Sequence, residues 1–114
     1  MAQVLVVEDD CLITFVLEDA LSEAGHGVVL AANADLALNI MKDSQFDVLF
    51  TDIDMPGSMD GIELAKIVRT TNPQRKIIIA SGKRRPSGQE LPENSIFLAK
   101  PYLASEVLKL IETA

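Results

Sequence analysis

Four apolar runs in this chain end on groups able to do chemistry. Residues 3–7 (QVLVV) lead into Glu8, Asp9 and Asp10, residues 47–51 (DVLFT) into Asp52 and Asp54, residues 76–80 (KIIIA) into Ser81, and residues 95–99 (SIFLA) into Lys100 and Pro101. Burying a single carboxylate costs several kcal/mol, so ending a buried strand on Asp52, with Asp54 and Asp60 close behind in FTDIDMPGSMDG, needs a reason. If the first and third runs are neighbours, their acids converge. Two like charges about 4 Å apart repel by roughly 4 kcal/mol at an effective dielectric of 20, while a domain has only about 5–15 kcal/mol of stability. Something positive must therefore lie among them. Oxygen ligands from few residues suit Mg²⁺, which keeps waters and often also binds phosphate. Lys100 supplies a second positive charge and Ser81 a hydroxyl. A divalent cation, an ammonium and a hydroxyl are the donors that stabilise the oxygens of a transferring phosphoryl group. A carboxylate can be its acceptor, and Asp52, central in the set, is the candidate.

The elements that must position these groups follow from periodicity. Short Val- and Ile-rich runs read as strands buried on both faces: Gln3–Val7, Gly27–Ala31, Asp47–Thr51, Lys76–Ala80 and Ser95–Ala99. Helical spacing predicts helices from Cys11 to a stop at Gly25, over Ala34–Lys42 behind the N-cap Asn33, over Gly61–Arg69, and over Ala104–Thr113 with Leu108 and Ile111 facing inward. On the first helix the apolar positions in this spacing are Leu12, Phe15, Val16 and Ala20. Strictly alternating strands and helices predict an α/β fold, a parallel sheet covered on both faces. In such a sheet the ligand site lies beyond the carboxyl ends of the strands, where the acids, Ser81 and Lys100 stand. The stretch SGKRRPSGQELPEN departs from the pattern. Pro86 and Pro92 remove donors and Gly88 weakens a helix, so a loop with at most one helical turn is expected there.

The 114 residues suffice for one core, and the whole of 1–114 is expected to be one domain. The composition is that of an ordered soluble protein, 48% hydrophobic and 24% charged. A net charge of −7 argues against nucleic acid or an anionic membrane as partner and favours proteins or cations. One cysteine, Cys11, forms no internal disulfide and fits a reducing compartment. The N-terminus has no basic leader followed by an apolar stretch, and no apolar run is long enough to span a membrane. A cytoplasmic location is expected.

The segments VLVVEDD (4–10), DVLFTDIDMPGSMDG (47–61), IIIASG (77–82) and FLAKPY (97–102), in this order and spacing, make the chain resemble a bacterial response-regulator receiver domain, the phosphoacceptor module of two-component signalling. The resemblance covers essentially the whole chain. It implies a flavodoxin-like five-stranded sheet of order 2-1-3-4-5, and phosphate accepted by Asp52 from a sensor histidine kinase or a histidine phosphotransfer protein. Asp9 would hold Mg²⁺ directly, Glu8 through water, and Asp52 and the backbone carbonyl of Asp54 would complete the site. Ser81 matches the switch hydroxyl, Lys100 pairs with a phosphoryl oxygen, Pro101 follows a peptide bond often cis in the family, and Phe97 falls where a rotating aromatic is common. No enzymatic turnover is implied beyond Mg²⁺-dependent self-phosphorylation and slow self-dephosphorylation. The loop after Pro56 is one residue longer than usual. The degraded helix between residues 81 and 95 belongs to the usual output and dimer surface. The chain ends just past its last helix without an effector domain, which fits a stand-alone receiver, a phosphate relay or sink, or a piece of a longer protein.

Blander readings compete at several positions. Asp60 reads as a turn residue or helix N-cap, Asp10 equally as an N-cap or a minor contributor to the metal site, Cys11 as a small buried or half-buried residue, and His26 as a turn residue. The basic run Lys83, Arg84 and Arg85 is a solvated loop or, as a hypothesis, brings Lys83 to Asp54 to limit water at the acyl phosphate. Two other functions are open. Asp-x-Asp is also similar to the haloacid-dehalogenase phosphatase motif, although there it follows the first strand. A phosphorylation-independent binding module is the other, opposed by the intact set Glu8, Asp9, Asp52, Ser81 and Lys100.

Overall fold

A computed structural model describes residues 1–82 and 86–113. The elements run β1 (Gln3–Val7), α1 (Cys11–Glu23), β2 (Gly27–Ala31), α2 (Ala34–Asp43), β3 (Val48–Asp52), α3 (Gly61–Thr71), β4 (Lys76–Ser81), β5 (Ile96–Ala99) and α4 (Ala104–Glu112). All five strands are parallel, in the order β2-β1-β3-β4-β5. The expected flavodoxin-like order is therefore observed. Among the described residues no helix lies between β4 and β5, where the prolines and Gly88 fall.

Alternation along the strands sends their side chains to two separate cores. On one face Leu5, Val7, Leu49, Ile77 and Ile79 pack against Ala34 and Ala37 of α2 and Ile62, Leu64, Ala65 and Val68 of α3. On the other, Val4, Val6, Phe50, Ile78 and Ala80 pack against Leu17 and Leu21 of α1 and Val107 and Ile111 of α4. β1, β3 and β4 are nearly continuously buried, as their unbroken apolar runs require.

The starts of α1, α2 and α3 are set by side-chain caps. Asp10 accepts the Leu12 N–H, Asn33 the Leu36 N–H, and Asp60 the Glu63 N–H, with the Glu63 carboxylate accepting back from the Asp60 N–H. The end of α4 is held by Lys76, whose ammonium donates to the carbonyls of Leu110 (2.7 Å), Ile111 (3.3 Å) and Thr113. His26 does more than turn the chain. Its Nδ1 accepts the Ala2 N–H and its Nε2–H donates to Glu112 at 3.0 Å, tying the β2 start to α4.

On α1, Leu12, Phe15 and Val16 face solvent, while Leu17 and Leu21 are buried. Two expectations are corrected. Cys11 is exposed. β3 and β4 extend one residue further than their apolar runs, taking in Asp52 and Ser81, because the ladder continues: the Asp52 row pairs with Ala80, and Ser81 pairs with Ala99. No helix among the described residues is long and apolar enough to cross a membrane.

Candidate functional site

The period of two along each strand decides which polar groups meet. Glu8 follows Val4 and Val6, Asp52 follows Val48 and Phe50, and Lys100 follows Ile96 and Leu98, all in the row facing α1 and α4. Each is where its apolar row runs out at the carboxyl edge. Between β3 and β5, the β4 member of that row is Ala80, fully buried and small, and Lys100 reaches across it. Its Nζ lies 3.0 Å from Glu8 Oε1 and 3.3 Å from Asp52 Oδ2. Glu8 is 3% exposed and Asp52 4%, so both acids depend on this ammonium for compensation.

Further hydrogen bonds hold the frame. The Glu8 N–H donates to the Ala31 carbonyl (3.0 Å), and the Asp10 N–H to Glu8 Oε2 (3.2 Å). The Thr51 hydroxyl donates to the Asp52 carbonyl (2.9 Å), the Ile53 N–H to the Ala80 carbonyl (2.9 Å), and the Lys100 N–H to the Ser81 carbonyl (3.0 Å). The Lys100–Pro101 peptide is cis.

Burial sets the electrostatics. It raises the pKa of Glu8, against the Lys100 hydrogen bond and the Asp10 N–H, with the Asp52 charge adding to the rise. It also raises that of Asp52, against the charge and hydrogen bond of Lys100. Burial alone would lower the Lys100 ammonium, but the Glu8 hydrogen bond and the charges of Asp52 and Glu8 outweigh it and hold the pKa above its usual value. Under the cluster, Tyr102 packs edge-on against Phe50 at 5.7 Å between ring centres. Burial, then Glu8, Asp52 and Asp10, push its phenol far above the usual range, so it stays protonated.

Exposed Asp9 adds a third acid: single carboxylate oxygens of Glu8, Asp9 and Asp52 lie within 4.8 Å of one another. Among the described residues, three carboxylates against one ammonium leave two negative charges, the amount a divalent cation neutralises. A hard, oxygen-only set of this kind fits Mg²⁺. Asp10 caps α1 and is not part of this set.

Ser81 belongs to the opposite row, with Ile77 and Ile79, and its hydroxyl donates to Asp54 Oδ2 at 3.2 Å. Phe97, half-buried on β5 opposite Ile79, packs against the α2/α3 core on that same face. The sheet thus separates the acid–lysine cluster from the Ser81–Phe97 row, and Asp54 approaches from the β3–α3 loop. Lys83, with Arg84 and Arg85, lies outside the described residues.

Two contributors were not read from the sequence. A Cβ at Gly61 would fall 1.9 Å from the Asp52 carbonyl oxygen, so the start of α3 packs directly on the backbone that carries Asp52. The glycine after MD was a visible signal, although nothing local says what it touches. The second is Asp35 on α2, whose carboxylate accepts the Ser58 hydroxyl (2.6 Å) and the Ser58 N–H (3.2 Å). No local pattern announces a bond across 23 residues.

Comparison with known proteins agrees with this geometry. The family model described as the response regulator receiver domain matches residues 4–112. The chain is 32% identical over 113 residues to the response regulator protein FleR of Pseudomonas aeruginosa, covering 96% of this chain and 24% of that protein. It is 32% identical over 115 residues to the response regulator receiver protein CpdR of Brucella abortus, covering 98% of this chain and 95% of that one. Relatives such as FleR and the NtrC regulators are thus about four times as long as the part matched, the chain spanning 24% of each. The solved chemotaxis response regulator CheY4 of Vibrio cholerae superposes with a TM-score of 0.85 at 30% identity, over 98% of this chain and 97% of that one. With the sheet order, the carboxyl-edge acids and the family match in agreement, the chain belongs to the response regulator receiver domain family.

Proposed function

We propose that this domain accepts a phosphoryl group on Asp52 from a phosphohistidine of a sensor histidine kinase or histidine phosphotransfer protein, in the cytoplasm, and thereby switches its protein contacts. One observation carries the reading: Asp52 is a buried carboxylate at the open carboxyl edge, bridged with Glu8 by Lys100 and beside Asp9. A carboxylate oxygen of Asp52 attacks phosphorus, the phosphorus–nitrogen bond breaks, and imidazole leaves with the electron pair. Glu8, Asp9, Asp52 and the carbonyl of Asp54 would hold Mg²⁺, which when bound offsets charge on the phosphoryl oxygens. Lys100 is within reach of the same oxygens. Ser81 has one hydroxyl proton, which serves either Asp54 or a phosphoryl oxygen, so phosphorylation would draw it from Asp54 and free space for Phe97 to move.

Incubation with acetyl phosphate and Mg²⁺ is expected to add the mass of one phosphoryl group, and Asp52→Asn to add none. Labelling of Asp52→Asn, or no labelling of the parent, would sink the proposal. Steady turnover of a simple phosphate ester would instead favour the phosphatase reading.

The donor is a protein. Leu12, Phe15 and Leu103 are 72%, 68% and 66% exposed, and an apolar groove of about 460 Å³ between α1 and residues 100–104 has Lys100 in its wall. Apolar surface of this kind marks a protein contact, and here it adjoins the reacting group. The double variant Leu12→Ala with Phe15→Ala is expected to slow transfer from a phosphohistidine protein about tenfold and to leave labelling by acetyl phosphate unchanged. An equal effect on both donors, measured by radiolabel transfer, would count against this surface.

A further inference from the structure

The β3–α3 connection, residues 53–60, is fixed at three points. At its start the Ile53 N–H donates to the Ala80 carbonyl, and at its end the Gly61 N–H donates to the Ile53 carbonyl (3.0 Å) while Asp60 caps α3. The third point lies in the middle, and it belongs to another element. Gly57 has φ 118, a conformation natural to glycine, and this turns Ser58 toward the first turn of α2. There the Ser58 N–H and Oγ–H donate to the two oxygens of Asp35. A side chain at Gly57 would come within 3.0 Å of the same carboxylate. The helix N-terminus favours a negative charge at Asp35, and the Ser58 hydroxyl, then its N–H, hold its carboxyl below the usual pKa.

We propose that Asp35 and Ser58 form a clasp that positions Asp54, making Asp35 a positioning residue for the acid cluster and for Ser81. Asp54 lies between a strand-anchored residue, Ile53, and a clasped one, Ser58. Its carboxylate receives the Ser81 hydroxyl, and its carbonyl faces the duty of a metal ligand under the phosphoacceptor reading, on which this inference rests. With the clasp open, residues 54–59 would regain backbone freedom that cation binding would then have to remove. Outer-shell groups that orient ligands in this way contribute about tenfold or more to metal affinity.

The test is Mg²⁺ affinity by calorimetry, with amide hydrogen exchange of residues 54–59 in the metal-free protein. Asp35→Ala and Ser58→Ala are each expected to weaken Mg²⁺ binding, Asp35→Ala about tenfold, and Asp35→Ala, which removes the acceptor of the Ser58 N–H, to speed exchange at that amide. The double variant should lose no more than Asp35→Ala alone, which already breaks both bonds, and Ser58→Thr, which keeps the hydroxyl, should retain most of the affinity. Both residues are exposed, so the thermal midpoint without metal should hardly move. Unchanged exchange in Asp35→Ala, or additive losses in the double variant, would overturn the clasp. The exchange arm needs no metal, so it decides the clasp even if the parent fails to bind Mg²⁺, a result that would count against the phosphoacceptor reading instead.

Discussion

Lys100→Met is expected to cost about 3–5 kcal/mol of stability at neutral pH, the usual loss when one partner of a buried ion pair is removed, and to regain much of it on acidification or with Mg²⁺. Methionine keeps an unbranched side chain one heavy atom shorter and removes the ammonium, with its charge and its hydrogen bond to Glu8. The Glu8 and Asp52 side chains, 1% and 6% exposed, are then left facing each other without the ammonium. The sign of the pH effect follows from the direction of the shifts. Burial already raises the pKa of both acids in the folded protein. Their contribution to stability is therefore fully present below the unfolded carboxylate value of about 4 and is lost as pH rises through the folded values. Removing Lys100 raises those values further, so the loss deepens and extends toward neutrality. The raised Lys100 pKa works in a distant window: its contribution is present at neutral pH and is lost only in strong alkali. Added Mg²⁺ stabilises whichever form binds it, by an amount growing with concentration over Kd. Urea unfolding from acid to neutral pH, with and without Mg²⁺, measures all of this. A variant whose stability profile runs parallel to the parent's would show that Lys100 does not compensate the two acids.

Much of this architecture was legible because its signals are local. A strand buried on both faces must be apolar nearly throughout, and VLVV, VLF and IIIA are the runs that show it. The residues just past such runs must gather at one edge of a parallel sheet, which is why Glu8, Asp9, Asp52, Ser81 and Lys100 could be named together. Which of them touch is a matter of row and neighbour. Glu8, Asp52 and Lys100 share the α1/α4 face and Ser81 the other, and the bridge runs from β5 to β3 past the β4 position held by Ala80. Register and sheet order decide that, and neither is written in any one segment. The buried face of α1 was not legible for a different reason: the helix is apolar on more than one side, so Leu12, Phe15 and Val16 give a helical period as good as that of Leu17 and Leu21. The apolar surplus is exposed beside Lys100, where a partner would meet it. Cys11, exposed at the first position of α1, follows the same logic. The loop GSMDG was visible in the sequence, but its bonds to Asp35 on α2 were not.

Gly61→Ala tests how tightly the position of Asp52 is fixed, and the competing effects have opposite signs. Alanine is the better helix former by about 1 kcal/mol, so at an ordinary first helical position the change would stabilise. Here its Cβ would fall 1.9 Å from the Asp52 carbonyl oxygen, 2.8 Å from the carbonyl carbon and 3.0 Å from the Ile53 Cα. These are backbone atoms in or beside a central strand, and no rotamer change moves them away. The Gly61 N–H bond to Ile53 and the Thr51 hydroxyl bond to the Asp52 carbonyl hold both sides of the contact. The clash must therefore push α3 off the sheet or move Asp52. Overpacking of this kind costs about 1–3 kcal/mol or more, which exceeds the gain in propensity, and a shifted Asp52 no longer meets Lys100 at 3.3 Å. Net destabilisation is expected together with slower labelling of Asp52 by acetyl phosphate. Gly88→Ala is the matched control, since a Cβ there meets nothing within 4 Å, and it should stay within about 0.5 kcal/mol of the parent. A Gly61→Ala protein as stable as the control, with an unchanged labelling rate, would mean that the backbone of Asp52 yields, and that the carboxylate is held by Lys100 rather than by the packing of α3 on the strand.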